Sequence, residues 1–280
     1  MFTLDPALPV LLRPEGAVQI GWDPRRAVLV HPPAGLHPRA LADLLRALPL
    51  GESALRGMAL RSGLRDEADW TGLIDALLAS GVLRRSGNAA QPARTLGIRV
   101  HGLGPLSDLI VEGLRRSGAR VGHTYHANAV GAPVGVDLMV LTDSLNADPR
   151  LIRDLHHGQV PHLPVRIRDG IGLIGPLVVP GVTSCLSCAD RHRSDRDPGW
   201  PALAAQLCDL IGTSDRPTVL TTAGLALGQL QRIIAGVRGD CPWQIRPAFD
   251  TTVEVDVRHD QIRSRRWSRH PLCPCWDSRG

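Results

Sequence analysis

Apolar and polar positions along the chain follow two different patterns. Short alternating runs, separated by turns at Pro14-Glu15-Gly16 and Asp23-Pro24, fill residues 9–31 and predict a three-stranded antiparallel meander. Leucines at helical spacing follow between residues 41 and 82, which predicts three helices. Strands followed by three helices indicate a small winged-helix-like α+β domain over residues 1–88.

A second pattern begins after a polar stretch. Residues 84–95 (RRSGNAAQPART) lose all apolar periodicity, so we predict a linker at 89–96. A strand over 96–101, a glycine turn and a helix over 106–117 come next, and 137–141 is an apolar run of the kind that parallel sheets bury on both faces. This order predicts a doubly wound α/β domain over residues 97–280.

Composition narrows the class of protein. Hydrophobic residues make up 43% of the 280 and charged residues 21%, the balance of a globular chain able to bury a core. The chain has no apolar stretch long enough to span a membrane, and its first residues do not resemble a secretion signal, so we expect a cytoplasmic protein without a membrane partner. It contains no lysine, which excludes a Walker lysine and Schiff-base chemistry.

The net charge of +5 raises the question of whether the chain binds nucleic acid. Residues 1–88 hold about ten arginines and nine acids, so the winged-helix-like domain is close to neutral. Because phosphate contacts dominate affinity for DNA, this argues against a zinc-stapled DNA-binding regulator, our third hypothesis. Part of the surplus lies at Arg263, Arg265, Arg266 and Arg269, which we interpret as a solvated strand or loop.

Cysteine spacing is the strongest chemical signal. Cys185-Leu-Ser-Cys188 and Cys273-Pro-Cys275 form two close pairs far apart in the chain. In a cytoplasmic protein such pairs favour a tetrahedral structural zinc site, since four thiolates satisfy Zn²⁺ and join distant segments. Buried free thiols and a redox Cys-x-x-Cys motif are the alternatives. His192 and His270 lie near the pairs and could be alternative ligands or donors to the ligands.

A weaker signal lies at the ends of two predicted strands. Gly102-x-Gly104 resembles part of a dinucleotide fingerprint, but Ser107 stands where the third glycine would be. Asp143 follows a buried strand, at the edge where open α/β sheets bind ligands and metal ions. Alternatively, the glycines only allow a strand to enter a helix, and Asp143 caps a helix or turn.

The order of these parts resembles the E1-like (ThiF, MoeB and HesA) adenylating superfamily. The segments GPLVVPGVTSCLSC (175–188) and RWSRHPLCPC (266–275) are most similar to the E1-like component of azole and azoline (TOMM) peptide biosynthesis. The resemblance implies a Rossmann-like E1 domain with structural zinc on the four cysteines. It also implies that the N-terminal domain recognises the leader of a ribosomally made precursor peptide. The partners it implies are a YcaO-type cyclodehydratase or another modifying enzyme and, in a homodimer, a second copy of the chain.

In such domains the leader adds as a strand beside the third strand and under the last helix. Transferred to this chain, the groove would lie between residues 27–31 and 70–78, with Val28, Val30 and Leu78 contributing pockets. The alternative is that these three residues only form the domain core.

Departures from the E1 pattern bear on catalysis. In an active E1 enzyme a fuller glycine turn, a ribose-binding acid, cationic phosphate ligands and an aspartate for Mg²⁺ hold ATP. Here the residues at matching positions are Gly102, Gly104 and Asp143, while the acid and all lysines are absent. We therefore expect no catalytic residues and a scaffold that presents the peptide to its modifying enzyme. An ATP-dependent adenylyltransferase is the second hypothesis.

Overall fold

A computed structural model describes residues 1–85, 95–125, 135–238 and 249–276. The chain divides into two compact units, residues 1–92 and residues 93–280, called here the N-terminal and C-terminal units. Among the described residues, no helix is both long enough and apolar enough to cross a membrane.

The N-terminal unit combines short strands with three helices. The predicted meander is present as the antiparallel sheet β2-β3-β4, and a second sheet pairs β1 with β5, which the sequence pattern did not predict. The elements are β1 (Phe2–Leu4), β2 (Val10–Leu12), β3 (Val18–Ile20), β4 (Val28–Val30), α1 (Pro38–Arg46), α2 (Glu52–Arg61), α3 (Glu67–Ala79) and β5 (Leu83–Arg85).

Local chemistry explains where these helices begin. The ring of His37 accepts a hydrogen bond from the Arg39 N–H at 3.2 Å at the start of α1, and Asp66 accepts one from the Ala68 N–H at 2.8 Å at the start of α3. Apolar residues at helical spacing then face one core, where Leu41 and Leu45 of α1 are fully buried beside Trp70 of α3.

The C-terminal unit is an α/β structure around one seven-stranded sheet. Its elements are β6 (Gly97–His101), α4 (Pro105–Arg115), β7 (Arg120–Thr124), β8 (Leu138–Thr142), α5 (Pro149–His157), β9 (His162–Arg168), β10 (Ile171–Ile174), α6 (Leu186–Ser194), α7 (Trp200–Leu207), α8 (Arg216–Arg238), β11 (Thr251–Asp256) and β12 (Gln261–Arg266). The strand order is β12-β11-β10-β9-β8-β6-β7. The pairs that join β7, β6, β8 and β9 are parallel, and those from β9 to β12 are antiparallel.

Both faces of the parallel strands are covered, as their continuous apolar sequence requires. Helices α4 and α8 pack on one face, where Val100, Val140 and Val165 are fully buried. The other face contacts α5 and the cysteine-containing segments in a separate core with Met139 and Leu155. The sheet therefore holds its carboxyl edge and the cysteines at fixed positions.

Candidate metal centre and sheet-edge crevice

The four predicted cysteines meet in one cluster. Cys185 precedes α6, Cys188 lies in its first turn, and Cys273 and Cys275 come from the C-terminal tail. The Sγ atoms of Cys185 and Cys188 are 3.6 Å apart, those of Cys185 and Cys273 are 3.6 Å apart, and those of Cys188 and Cys275 are 3.5 Å apart. All four residues are buried and none forms a disulfide.

These separations fit a tetrahedral metal ion. Zinc–sulfur bonds of 2.3 Å place the sulfurs of a tetrahedron about 3.8 Å apart, close to the observed values. The Cys188 N–H also donates to the Cys185 Sγ at 3.3 Å, a contact that stabilises a thiolate. The cluster could therefore bind a metal ion through four sulfurs.

The pKa values of the clustered thiols bear on the charge of an ion that they could bind. A hydrogen bond from Cys185 lowers the pKa of Cys188 to about 4, whereas the same hydrogen bond and burial raise the pKa of Cys185. Burial raises the pKa of Cys275 to about 12. Burial and the neighbouring thiols therefore oppose full deprotonation of the cluster, and a bound cation would offset this cost.

His270 and His192 lie beside this cluster, and the hydrogen bonds of His270 hold the C-terminal tail in place. We call the His270–Asp195 pair the brace. His270 is buried; its Nδ1 accepts the Leu272 N–H at 3.1 Å, which leaves the proton on Nε2 to bond Asp195 Oδ2 at 2.9 Å. The His270 carbonyl accepts the Cys273 N–H at 3.0 Å. Both ring nitrogens are thus engaged, and the ring fixes the tail that carries Cys273. The His192 Nε2 contacts the Ser268 carbonyl at 3.2 Å.

At the carboxyl edge of the sheet, Asp143 binds the start of α4. Its Oδ1 accepts the Leu106 N–H at 3.0 Å and its Oδ2 accepts the Ser107 N–H at 3.1 Å. Asp143 is fully buried, with a φ of 69°, and the Gly104 N–H is bonded to Ser107 Oγ at 3.0 Å. A helix N-terminus of this kind attracts phosphate groups, and here a carboxylate of the chain occupies it.

Gly102 and Gly104 are required because other atoms lie too close to their Cα atoms to admit a side chain. A Cβ on Gly104 would lie 2.6 Å from Asp143 Oδ1, and one on Gly102 would lie 2.5 Å from the Thr142 carbonyl oxygen. Gly102 also has a φ of 154°. The turn therefore packs against the strand that carries Asp143, whether or not a ligand is bound.

A cavity of about 200 Å³ remains beside this turn, lined by residues that include His101, Thr142, Ser144 and Arg166. It is smaller than the 300–1,000 Å³ of typical small-molecule sites. Burial lowers the pKa of His101 and lowers that of Arg166 to about 10. Arg166 donates to the Leu145 carbonyl at 3.1 Å.

The residues proposed for peptide contact lie in two environments. Val30 is buried in the core, whereas Val28 and Leu78 are half-buried and pack against it. On the opposite face of β4, Leu29 is 52% exposed. In the described part of the N-terminal unit, β4 pairs with β3 alone, so its other edge has no strand partner there.

Sequence reasoning missed a second cavity in the N-terminal unit. It measures about 810 Å³ and is lined by Phe2, Trp70 and Ile74 together with Arg56 and Arg85. Arg85 lies over the Phe2 ring at 5.2 Å. The signal was present in the apolar residues of α3. The lining also includes Phe2 of β1, a strand of three residues that carries too little pattern to predict.

No family model and no curated protein sequence matches the chain. Solved structures of similar fold do. The chain resembles the heterocyclase TruD (15% identity, TM-score 0.69) over 98% of its own length and 42% of that chain. It likewise resembles a heterocyclase in complex with substrate and cofactor (14% identity, TM-score 0.68) over 98% of its own length and 39% of that chain.

E. coli MccB, solved with MccA, is similar over 99% of both chains at 12% identity and a TM-score of 0.59. The chain thus spans about two fifths of the length of the two heterocyclases and nearly all of MccB. At this level of identity the likeness shows a shared fold.

Proposed function

We propose that this protein binds the leader of a ribosomally made precursor peptide and presents it to a modifying enzyme in azole or azoline peptide biosynthesis. A winged-helix-like domain over residues 1–88, which lies within the N-terminal unit, captures the leader. Residues 97–280 form an E1-like, Rossmann-like scaffold that a zinc ion on the four cysteines stabilises, and residues 89–96 link the two. A YcaO-type cyclodehydratase supplies the chemistry.

The open edge of β4 carries the first half of this proposal. A peptide strand that adds to β4 gains main-chain hydrogen bonds, and alternate side chains then meet Leu29 on one face and Val28 on the other. Solved structures of this fold include a heterocyclase with its substrate and MccB with MccA, which supports a peptide ligand.

Asp143 supports the second half of the proposal, that the C-terminal unit is a scaffold without ATP chemistry. Its carboxylate bonds two of the amides that a nucleotide phosphate would use at the start of α4, and a bound phosphate would face this buried negative charge. The small crevice and the lack of lysine agree with this interpretation.

Titration of the protein with the fluorescently labelled leader of a precursor peptide, sought among the neighbours of its gene, tests the proposal. We expect binding, and we expect Leu29→Asp to weaken it at least about tenfold because a carboxylate opposes the apolar contact. Leu60→Asp is the matched control, since Leu60 is similarly exposed, at 42%, on α2. Absence of leader binding, or equal weakening by both substitutions, would contradict the proposal.

The second candidate, an ATP-dependent adenylyltransferase, has one observation in its favour. The chain matches nearly the whole of MccB, which has also been solved with ATP. In that case Gly102, Gly104 and Asp143 would lie at the nucleotide and Mg²⁺. Substrate-dependent exchange of pyrophosphate into ATP, abolished by Asp143→Ala in folded protein, distinguishes it from the scaffold.

A further inference from the structure

The outermost strand of the C-terminal unit has an open edge. All six residues of β12 are exposed, and among the described residues β12 pairs with β11 alone. The Trp267 N–H donates to the Asp250 carbonyl at 2.8 Å. Because backbone polar groups alternate between the two edges of an antiparallel strand, this bond shows which residues of β12 face β11. The backbone N–H and C=O groups of Arg263 and Arg265 therefore point toward β11. Those of Ile262, Ser264 and Arg266 point outward.

The face of the sheet next to this edge is strongly basic. The register places Arg166, Leu173, Glu254 and Arg263 in one line across four strands. We call the five arginines on this side the arginine face: Arg166, Arg168 and Arg193 with Arg263 and Arg265. Acidic partners are few: Glu254 lies 3.6 Å from Arg168 and Asp190 lies 2.9 Å from Arg193.

Two tryptophans order these arginines. The Arg265 guanidinium lies 4.7 Å from the centre of the Trp267 ring, and the Arg193 guanidinium lies 5.3 Å from the same ring and 4.8 Å from that of Trp200. The Trp267 Nε1–H donates to Thr252 Oγ1 at 2.8 Å, which holds the ring in place. Stacking on aromatic rings fixes the cations before a ligand arrives and reduces the entropy lost on binding.

The arginine face carries positive charge in excess. Burial lowers the pKa of Arg193, and Arg168 and Arg265 lower it further although Asp190 opposes them. In the part of the chain that the structure describes, neither Arg263 nor Arg265 takes part in an ion pair. Charged edge residues commonly prevent a sheet from pairing with its own copy. The same charges attract an acidic strand.

We propose that β12 is a docking edge for an extended, acidic segment of a partner protein. The segment adds as an eighth strand, bonds the outward N–H and C=O groups of Ile262, Ser264 and Arg266, and places carboxylates beside Arg263 and Arg265. An apolar residue between its acids meets Ile262, which is 63% exposed on the opposite face. The outward N–H and C=O groups favour a peptide over a nucleic acid, since a sugar-phosphate backbone lacks the alternating donors and acceptors that pair with a strand.

Fluorescence anisotropy of the full-length, metal-loaded protein with a labelled Glu-Val-Glu-Val-Glu peptide tests this proposal. We expect binding that weakens with salt. Arg263→Gln with Arg265→Gln should reduce the affinity about tenfold. The control is Arg115→Gln with Arg116→Gln, an equal change of charge at exposed arginines around the end of α4, and it should leave the affinity unchanged.

A backbone variant separates strand addition from charge attraction. Ser264→Pro removes an outward N–H while the pairing with β11 is kept, so it should also reduce the affinity about tenfold without lowering the melting temperature. Equal binding of a Gln-Val-Gln-Val-Gln peptide, or unchanged affinity in both β12 variants, would overturn the proposal. Tighter binding of a single-stranded oligonucleotide, lost in the arginine variant, would assign the face to nucleic acid instead. The leader titration gives an independent result, since β4 is not involved.

Discussion

The cysteine cluster and the start of α4 are two parts of the C-terminal unit that each suit an ion. At the cysteines, four buried sulfurs lie 3.5 to 3.6 Å from their neighbours, a spacing that suits a metal cation. At α4, backbone amides suit an anion, and Asp143 already supplies it. The difference teaches that one site could take a metal ion from outside, whereas the amides of the other are already bonded within the chain.

The largest expected effect is at the cysteines. If the cluster holds a structural metal ion as proposed, Cys185→Ser should abolish its binding and destabilise the C-terminal unit by at least about 4 kcal/mol, or about 10 °C in Tm, because that ion would join α6 to the tail. Elemental analysis and thermal melting measure both quantities. Cys208→Ser is the control, since Cys208 is half-buried and lies outside the cluster. Full stability of Cys185→Ser without metal would show that the metal is not structural.

Removal of the metal from the unaltered protein should have a similar effect. A strong chelator should lower the melting temperature by an amount close to that of Cys185→Ser, and added zinc should restore it. The chelator should leave the Tm of Cys185→Ser unchanged. A large chelator effect on that variant would place the relevant metal elsewhere.

Asp143 should give an intermediate effect. Asp143→Ala leaves the Leu106 and Ser107 N–H groups without a buried acceptor, so we expect a loss of about 1–3 kcal/mol. Asp143→Asn should lose less, since asparagine keeps an acceptor and tolerates the positive φ. Urea unfolding of both variants measures this order. Equal stability of Asp143→Ala and the parent would contradict the capping role.

The smallest effect is expected at the brace. Asp195→Asn keeps an acceptor for the His270 Nε2–H, and the Asp195 side chain is 63% exposed, so stability should fall by less than about 1 kcal/mol with metal still bound. Metal content and melting together check this. Loss of the metal in this variant would show that Asp195 does more than hold the ring.

These sites differ in how far the sequence predicted them. Cysteine spacing was sufficient to predict that the four cysteines meet in one cluster that could bind a metal ion, because two close pairs of thiols are typical of such sites. For Asp143 the sequence placed the residue at the end of β8 but left open a nucleotide role and a capping role, since the direction of a side chain after a strand depends on packing with α4.

The fold shows the same division. The pattern predicted β2 to β4, the three helices after them and the parallel strands β6 and β8, whose apolar sequences are strong signals. It did not predict the antiparallel extension through β10, β11 and β12. The arginines of β12 were interpreted as a solvated strand or loop, because an exposed edge strand has no apolar alternation to reveal it.

Calorimetric titration of the metal-loaded protein with Mg-ATP tests the central claim most directly. Because Asp143 occupies the amides of α4, we predict no binding up to millimolar ATP, with one metal ion per chain. Micromolar binding that Asp143→Ala abolishes in folded protein would contradict this account and identify the chain as an adenylating enzyme.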